Sequence, residues 1–399
     1  MIKKYFHLLR RKLAKVWLDI NLQLIVIGVT GSYGKTSAVR AIAEVLSTKY
    51  SVNKTDLNLD TIYNLPITIL KTKLWNEVLV LEYGVDHLGE METHLSLVKP
   101  KIAVLTGIIP VHTDAEHLGS LENVILEKRK LVESVPDDGL ALFNYDDENS
   151  RRVGQELKKN KLFYGLDRKA DIWADKIEVT PAGTKFFLHD RLETMKIETR
   201  LLGYPAVYSC LVAWAIGRYL GVEKEKIVAS LANLTPLKGR FSLEEGPLGT
   251  ILVDDSRRAN IASVLAGIRS LVQFPGRKVA VLGEMGEIGD KAEELHRLVG
   301  QELAKEKIEV VVGVGPLTRF ITEEAKAGGV KEVFWAKDVK EAADILKKIL
   351  KKGDFLYLKA SLLRHLERII LLLQGKTVKC NEVSCHYYHL CDTCPKLVE

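Results

Sequence analysis

Gly31-Ser32-Tyr33-Gly34-Lys35-Thr36 is the run of this chain best equipped for chemistry. Glycines let a backbone turn tightly, and N–H groups at a helix start can cradle phosphate oxygens. A lysine there reaches the β/γ-phosphates, and the hydroxyl after it binds Mg²⁺. The pattern is G-x-x-G-K-T. The longer G-x-x-x-x-G-K-[ST] would need glycine where Val29 stands. We read residues 31 to 37, Ser37 included, as an ATP site rather than as a turn with a surface lysine. Glu82 ends an apolar run, 78–81, where a Mg²⁺ ligand would sit beside a phosphate-loop strand. His112, Asp114 and His117 share the loop after the run 102–106, and Asp254-Asp255-Ser256 ends another run. Cys380, Cys385, Cys391 and Cys394 form C-x4-C-x5-C-x2-C, with His386 and His389 between them. Four thiolates suit tetrahedral zinc; the run 391–395 also has the look of an iron–sulfur segment, and a tail without metal is the third option.

These groups need a scaffold, and the chain alternates to supply one. Leu24-Ile25-Val26-Ile27 reads as a buried parallel strand and residues 37–46 as a helix. Short strands at 50–54, 78–81, 102–106 and 140–144 interleave with helices at 67–74 and 121–135, and 58–66 reads as a polar loop. That is a mostly parallel, doubly wound sheet. Residues 161–200 read as a more antiparallel section, with strands at 172–179, 184–188 and 195–199. A second strand–helix alternation from 250 to 358 predicts a second Rossmann-like α/β domain. The expected divisions are 1–21, a basic amphipathic helix; 22–237, an ATP-binding domain; 238–373, the second α/β domain; and 374–399, the Cys-rich tail. The N-terminal helix could rest on an anionic membrane surface or dock on the protein's own core.

The 399 residues, 47% hydrophobic and 28% charged, are ample for two domains. A net charge of +6 is too mild to argue for nucleic acid, though it suits anionic nucleotides. No apolar run reaches the ~20 residues of a membrane span and no signal-peptide core opens the chain, so the expectation is a cytoplasmic protein. Cys210, alone in an apolar helix, reads as core.

From about residue 22 to 373 these runs resemble the Mur ligases, ATP-dependent amide-forming enzymes of cell-wall precursor synthesis, and most of all the MurF type. Further matching signatures are Asn64-Leu65-Pro66-Ile67-Thr68, His87-Leu88-Gly89-Glu90-Met91, Gly119-Ser120-Leu121-Glu122 and Pro236-Leu237-Lys238-Gly239-Arg240-Phe241. Asp254-Asp255-Ser256 with Ala259-Asn260, residues 282–289, and Lys359-Ala360-Ser361 with Glu367 complete the series. The resemblance implies that a substrate carboxylate attacks ATP to give an acyl phosphate, which an amine then opens. It implies Lys35 on the β/γ-phosphates and Thr36 and Glu82 on a first Mg²⁺. A second Mg²⁺ would be held by His112, preferred over His117, and by Lys128, carbamylated. Across the hinge, Asp255 would meet the ribose, with Arg240, Asn260 and Arg257 completing the nucleotide contacts. Domain closure would exclude water.

Three departures qualify the match. MurF-type enzymes carry an N-terminal UDP-binding domain, and about twenty residues precede the first strand here. UDP recognition is then lost, supplied by a partner protein, or not needed. The family's H-N-x-x-N helix start reads Pro205-Ala206-Val207-Tyr208-Ser209, which puts Ser209 where an asparagine would approach the nucleotide. Arg257 and Arg258 are added cations in the Asp254 motif, and Arg129-Lys130 follow Lys128 where Gly-Glu is expected. The competing functions are a related Mur-type ligase of another pathway, including a cofactor amide or cyclisation enzyme or an amidase-paired subunit, and a non-catalytic ATP-binding scaffold.

Overall fold

A computed structural model describes the chain except residues 1, 22, 57–60, 386, 388–389 and 395–399, and leaves out the side chains of 2–5 and 61–62. Much of the expected 58–66 loop, and His386 and His389, therefore lie wholly or partly outside the described residues. The chain packs as two units. The first comprises Met1–Ile177, Thr184–Arg200 and Ala206–Leu234, and the second Glu178–Gly183, Leu201–Pro205 and Thr235–Glu399. The tail is grouped with the second unit.

Nine strands build the first sheet: β1 (Ile25–Thr30), β2 (Val52–Lys54), β3 (Val78–Glu82), β4 (Ile102–Leu105), β5 (Leu140–Asn144), β6 (Lys161–Gly165), β7 (Ile172–Thr180), β8 (Gly183–His189) and β9 (Thr194–Thr199). Their order is β2-β3-β1-β4-β5-β6-β7-β8-β9. From β2 to β7 the pairings are parallel, and β8 pairs β9 antiparallel. Only part of the 161–200 section is thus antiparallel. Strand β6 went unread because its apolar stretch, Leu162-Phe163-Tyr164, is short, yet it continues the parallel ladder.

The central strands are apolar up to their C-terminal residues, Thr30, Glu82 and Asn144, because both faces are covered. Leu79 and Leu81 turn to a core with Leu65, Ile69, Met91 and Leu131, while Val78 and Val80, equally buried, face the other way. The helix at 61–71 corrects the expected loop. It runs Thr61–Lys71 with Pro66 inside. A helix-interior proline costs about 3 kcal/mol, which tertiary contacts offset here. Leu65 and Ile69 are fully buried, Asn64 donates to the Glu82 carbonyl, and Thr68 donates to Asn64 Oδ1.

The N-terminal helix Ile2–Ile20 docks on the first unit. Ala14 is buried, Trp17 Nε1 donates to the Thr72 carbonyl at 2.8 Å, and Arg11 donates to Thr93 O and Ser96 Oγ. Its outer face keeps Phe6, Leu9, Leu13, Val16 and Ile20 exposed. Among the described residues, no helix is long and apolar enough to cross a membrane.

The second unit holds a six-stranded sheet: β10 (Ser242–Glu245), β11 (Ile251–Asp255), β12 (Lys278–Gly283), β13 (Val310–Val314), β14 (Glu332–Ala336) and β15 (Phe355–Lys359), ordered β10-β11-β15-β12-β13-β14. All pairings are parallel except β10 with β11. Strand β10, a half-buried edge rich in glutamate, has no apolar run to announce it.

Candidate active site

The glycine loop leaves the end of β1 and enters the helix Lys35–Leu46. Gly31 sits at φ 148° and Gly34 at φ 75°. A Cβ on Gly31 would lie 2.0 Å from Thr106 Oγ1, so only glycine fits there. Thr106 binds the loop from β4, donating to the carbonyls of Thr30 and Tyr33. Lys35 Nζ donates to the Gly31 carbonyl at 2.7 Å, which folds the lysine back over the loop. Ser32 N–H donates to the Gly107 carbonyl at 2.8 Å. The Tyr33 hydroxyl donates to Asp147 Oδ2 at 3.0 Å. Asp147 also caps the helix Glu148–Glu156 through the Ser150 N–H. Tyr33 thus has a structural tie beside its expected nucleotide role.

Thr36 Oγ1 donates to Glu82 Oε2 at 2.9 Å. The register of β1 against β3 sets Val29 beside Glu82, so adjacent parallel strands deliver both groups at their C-terminal ends. A second group lies on the following loops. His112, at φ 56°, places its ring 5.4 Å from that of His117, tilted by 55°, and the His117 ring lies 5.5 Å from that of His87. His117 Nδ1 contacts Asp114 Oδ1, and His87 Nδ1 contacts Asp86 Oδ1, each at 2.6 Å. Burial works against the Asp86 charge, but hydrogen bonds with His87 and Glu90 outweigh it and hold that carboxyl below its ordinary value. The ligand atoms of Asp86, His87 and Glu90 lie within 4.8 Å of one another. The sequence reading quoted His87 and Glu90 within a signature but gave them no role.

Lys128 lies on the helix Leu121–Glu133 and is 1% exposed, which excludes a solvated helix face. Arg129 and Lys130 turn outward instead, to Glu133 and Glu156 and to Glu92 and Glu127. Ser209 is buried in the helix Tyr204–Tyr219, as is Cys210, whose thiol burial pushes up to about 12.

In the second unit, Asp255 Oδ2 accepts from Lys359 Nζ at 2.7 Å and from the Tyr357 hydroxyl at 3.1 Å. Lys359 Nζ also donates to the Arg258 carbonyl. No spacing in the sequence links Lys359 or Tyr357 to Asp255; the pairing of β15 with β11 does. Gly239, at φ 75°, leaves room for the Arg257 stem, because a Cβ would lie 2.2 Å from Arg257 Cγ. Asn260 caps the helix Ile261–Leu271 in a capping box with Ser263. That employs its side-chain oxygen, a use the sequence reading did not foresee.

Asp254 is fully buried, and among the described residues its Oδ2 has no partner. Burial pushes its carboxyl up to about 6. The unfolded carboxyl titrates near 3.9, so the folded state binds the proton more tightly. Its contribution to stability is therefore complete below about pH 4 and lost as pH rises through about 6. Urea midpoints taken across this window should fall less steeply in Asp254→Asn than in the parent chain; parallel curves would refute the assignment.

The tail does not gather its four thiols. Among the described residues, no three of them meet within 4.8 Å. Cys391 is buried beside Leu371 and Val378, with Cys380 and Cys394 packed against the same cluster. Cys385 N–H donates to the Leu363 carbonyl.

Comparison with known proteins follows the same division. The description "Mur ligase middle domain" matches residues 29–217, and "Mur ligase, glutamate ligase domain" matches residues 239–362. UDP-N-acetylmuramoyl-tripeptide--D-alanyl-D-alanine ligase of Bacillus subtilis is 31% identical over 363 residues, 90% of this chain and 78% of that protein. The protein of the same name in Escherichia coli is 30% identical over 320 residues, 80% and 70% of the two chains. The crystal structure of MurF ligase from Thermotoga maritima in complex with ADP aligns with a TM-score of 0.81 at 26% identity, covering 92% of this chain and 83% of that one. A crystal structure of MurF from Acinetobacter baumannii aligns at 0.84 and 25%, covering 93% and 81%.

Proposed function

The chain belongs to the Mur ligase family, with the middle and glutamate ligase domains in series, and we propose on that premise that it is an ATP-dependent carboxylate–amine ligase of the MurF type. One observation carries the reading: the Thr36 hydroxyl and the Glu82 carboxylate meet at 2.9 Å beside the glycine loop. The chemistry is phosphoryl transfer followed by acyl transfer. A substrate carboxylate oxygen attacks the γ-phosphorus and ADP leaves. An amine then attacks the acyl carbon, the amide forms, and phosphate departs. Mg²⁺, when bound, neutralises phosphate charge in both steps.

Lys35 draws on the β/γ-phosphates, and Thr36 and Glu82 hold the first Mg²⁺. His112 and Lys128 serve the second. Burial of Lys128 favours its carbamate, an oxygen anion that suits Mg²⁺, over an ammonium costly to desolvate. In the second unit Asp255 takes the ribose, and Arg240, Arg257 and Asn260 take the remaining nucleotide contacts; Ser209 belongs to the adenine side. The acceptor is a cell-wall peptide precursor and the donor a D-alanyl-D-alanine-like amine, as the names of the relatives suggest. The test is phosphate release from ATP and Mg²⁺. It should require both a murein tripeptide precursor and the dipeptide. Silence there, with release from another carboxylate and amine, would move the chain to a different ligase specificity; silence throughout would leave a nucleotide-binding scaffold.

The reading extends to the site of work, the cytoplasmic face of an anionic membrane. The helix Ile2–Ile20 exposes Phe6, Leu13 and Ile20 at 58%, 51% and 66%, and exposed Arg10, Lys12 and Lys15 complement anionic lipid. Each basic residue near such a surface contributes about 1 kcal/mol. Changing all three to glutamine should weaken sedimentation with phosphatidylglycerol vesicles by about 100-fold. Equal binding by parent and variant would remove the membrane from the reading.

A further inference from the structure

The buried junction between the tail and the helix Glu367–Leu373 contains three side chains of metal-ligand type. His365, Glu367 and Cys391 are 1%, 5% and 7% exposed, and one ligand atom from each lies within 4.8 Å of the other two. Two come from the body of the second unit and one from the tail. His365 occupies the left-handed region, φ 49° and ψ 52°, a strained backbone for a histidine. That turn points its ring at the carboxylate: Nδ1 lies 2.8 Å from Glu367 Oε1, and Nε2 lies 3.3 Å from the Cys385 carbonyl oxygen.

Both ring nitrogens therefore face acceptors. A neutral imidazole has one N–H to give. If Nε2–H donates to the Cys385 carbonyl, the Nδ1 lone pair faces a carboxylate oxygen, an arrangement that either a proton or a metal ion ligated by both groups would satisfy. Glu367 poses the same demand from its other oxygen. Oε1 accepts from the Cys391 N–H at 3.4 Å, while Oε2, buried, accepts nothing among the described residues. Leaving a buried carboxylate oxygen unsatisfied is expensive. Ligation by one ring nitrogen with the other donating to a backbone carbonyl is the usual outer support of a metal-bound histidine.

We propose that this junction is a zinc-class metal site formed by His365 Nδ1, Glu367, Cys391 and Cys394. Cys394 stands in C-x2-C spacing with Cys391 across the one-turn helix Cys391–Thr393 and packs on the same cluster. Mixed thiolate, imidazole and carboxylate ligands suit Zn²⁺. The set differs from a four-thiolate tail. Cys380 Sγ lies 3.7 Å from the Arg368 guanidinium, and Cys385 serves through its backbone. The metal would clamp the tail to the fold. This site is independent of the ligase reading.

The experiment is elemental analysis of the full chain, parent and variants, purified without chelator. The parent should carry one zinc per chain. His365→Asn, which keeps a residue tolerant of left-handed backbone, and Cys391→Ser should lose it; Cys385→Ser should keep it. Zinc lost in Cys385→Ser but kept in His365→Asn overturns the proposal in favour of the four-thiolate knuckle. Zinc in none of the proteins overturns it in favour of a proton-bridged core. Should a variant fail to fold, the cobalt-substituted parent decides. Thiolate-to-cobalt absorption of two sulfurs supports the mixed set, and that of four, or none, refutes it.

Discussion

Lys35→Ala should lower kcat for phosphate release by about 10³-fold, equivalent to about 4 kcal/mol of transition-state stabilisation. Lys35 is 8% exposed, and its ammonium rests on the Gly31 carbonyl at 2.7 Å. The charge is held where phosphates would arrive, in a partly dehydrated loop where it acts more strongly than in water. Phosphoryl transfer asks mainly for such neutralisation. Alanine also removes the Gly31 hydrogen bond, worth about 1 kcal/mol, so a small loss of stability accompanies the loss of rate. Measuring urea midpoint and kcat together separates the two. Lys35→Arg should rescue little, since a planar fork does not replace a compact point charge in a tight loop. Activity within about tenfold of the parent in Lys35→Ala would place the chemistry elsewhere.

The second large effect concerns stability. Lys359→Met should destabilise the second unit by about 3–5 kcal/mol, the usual consequence of removing one partner of a buried ion pair. The Lys359 side chain is 2% exposed and that of Asp255 13%. Burial lowers the lysine's pKa, and the Asp255 charge acts against that fall. Methionine keeps much of the apolar stem but removes the ammonium from Asp255, which keeps the Tyr357 hydroxyl, and frees the Arg258 carbonyl. Adding Asp255→Asn should recover much of the loss in denaturant midpoint without restoring ligation, because Asp255 is assigned to the ribose. A midpoint unchanged by Lys359→Met would show that the pair contributes nothing net.

The scaffold was legible where burial is two-sided. Runs such as Val78-Leu79-Val80-Leu81, short and bearing β-branched valine, read as interior strands, and the glycine loop declares itself because all its parts are contiguous. Pro66 misled because the residues that hold its helix, Leu65 and Ile69 against the sheet, act through tertiary packing. Strand β10 was missed because its pairing with β11 carries it without an apolar run. The candidate site was legible in its contiguous half. Lys359 and Asp255 stand 104 residues apart, and the parallel register of β15 on β11 joins them. The same limit applies to the tail. Cysteine spacing marks four thiols, while His365 and Glu367 stand more than twenty residues before Cys391 and carry no ligand spacing of their own.

The Tyr33–Asp147 tie has a kinetic consequence. Asp147 holds the loop's tyrosine, the Ile108 N–H and the start of a helix together, and Thr106 ties the same loop from β4. Ordering a loop residue costs about 1–2 kcal/mol of entropy, and here that cost is met during folding. An incoming nucleotide finds its cradle already shaped. Its arrival rate should track solvent viscosity and ionic strength rather than any internal rearrangement of the loop, and Tyr33→Phe should slow capture while leaving the cradle's chemistry intact.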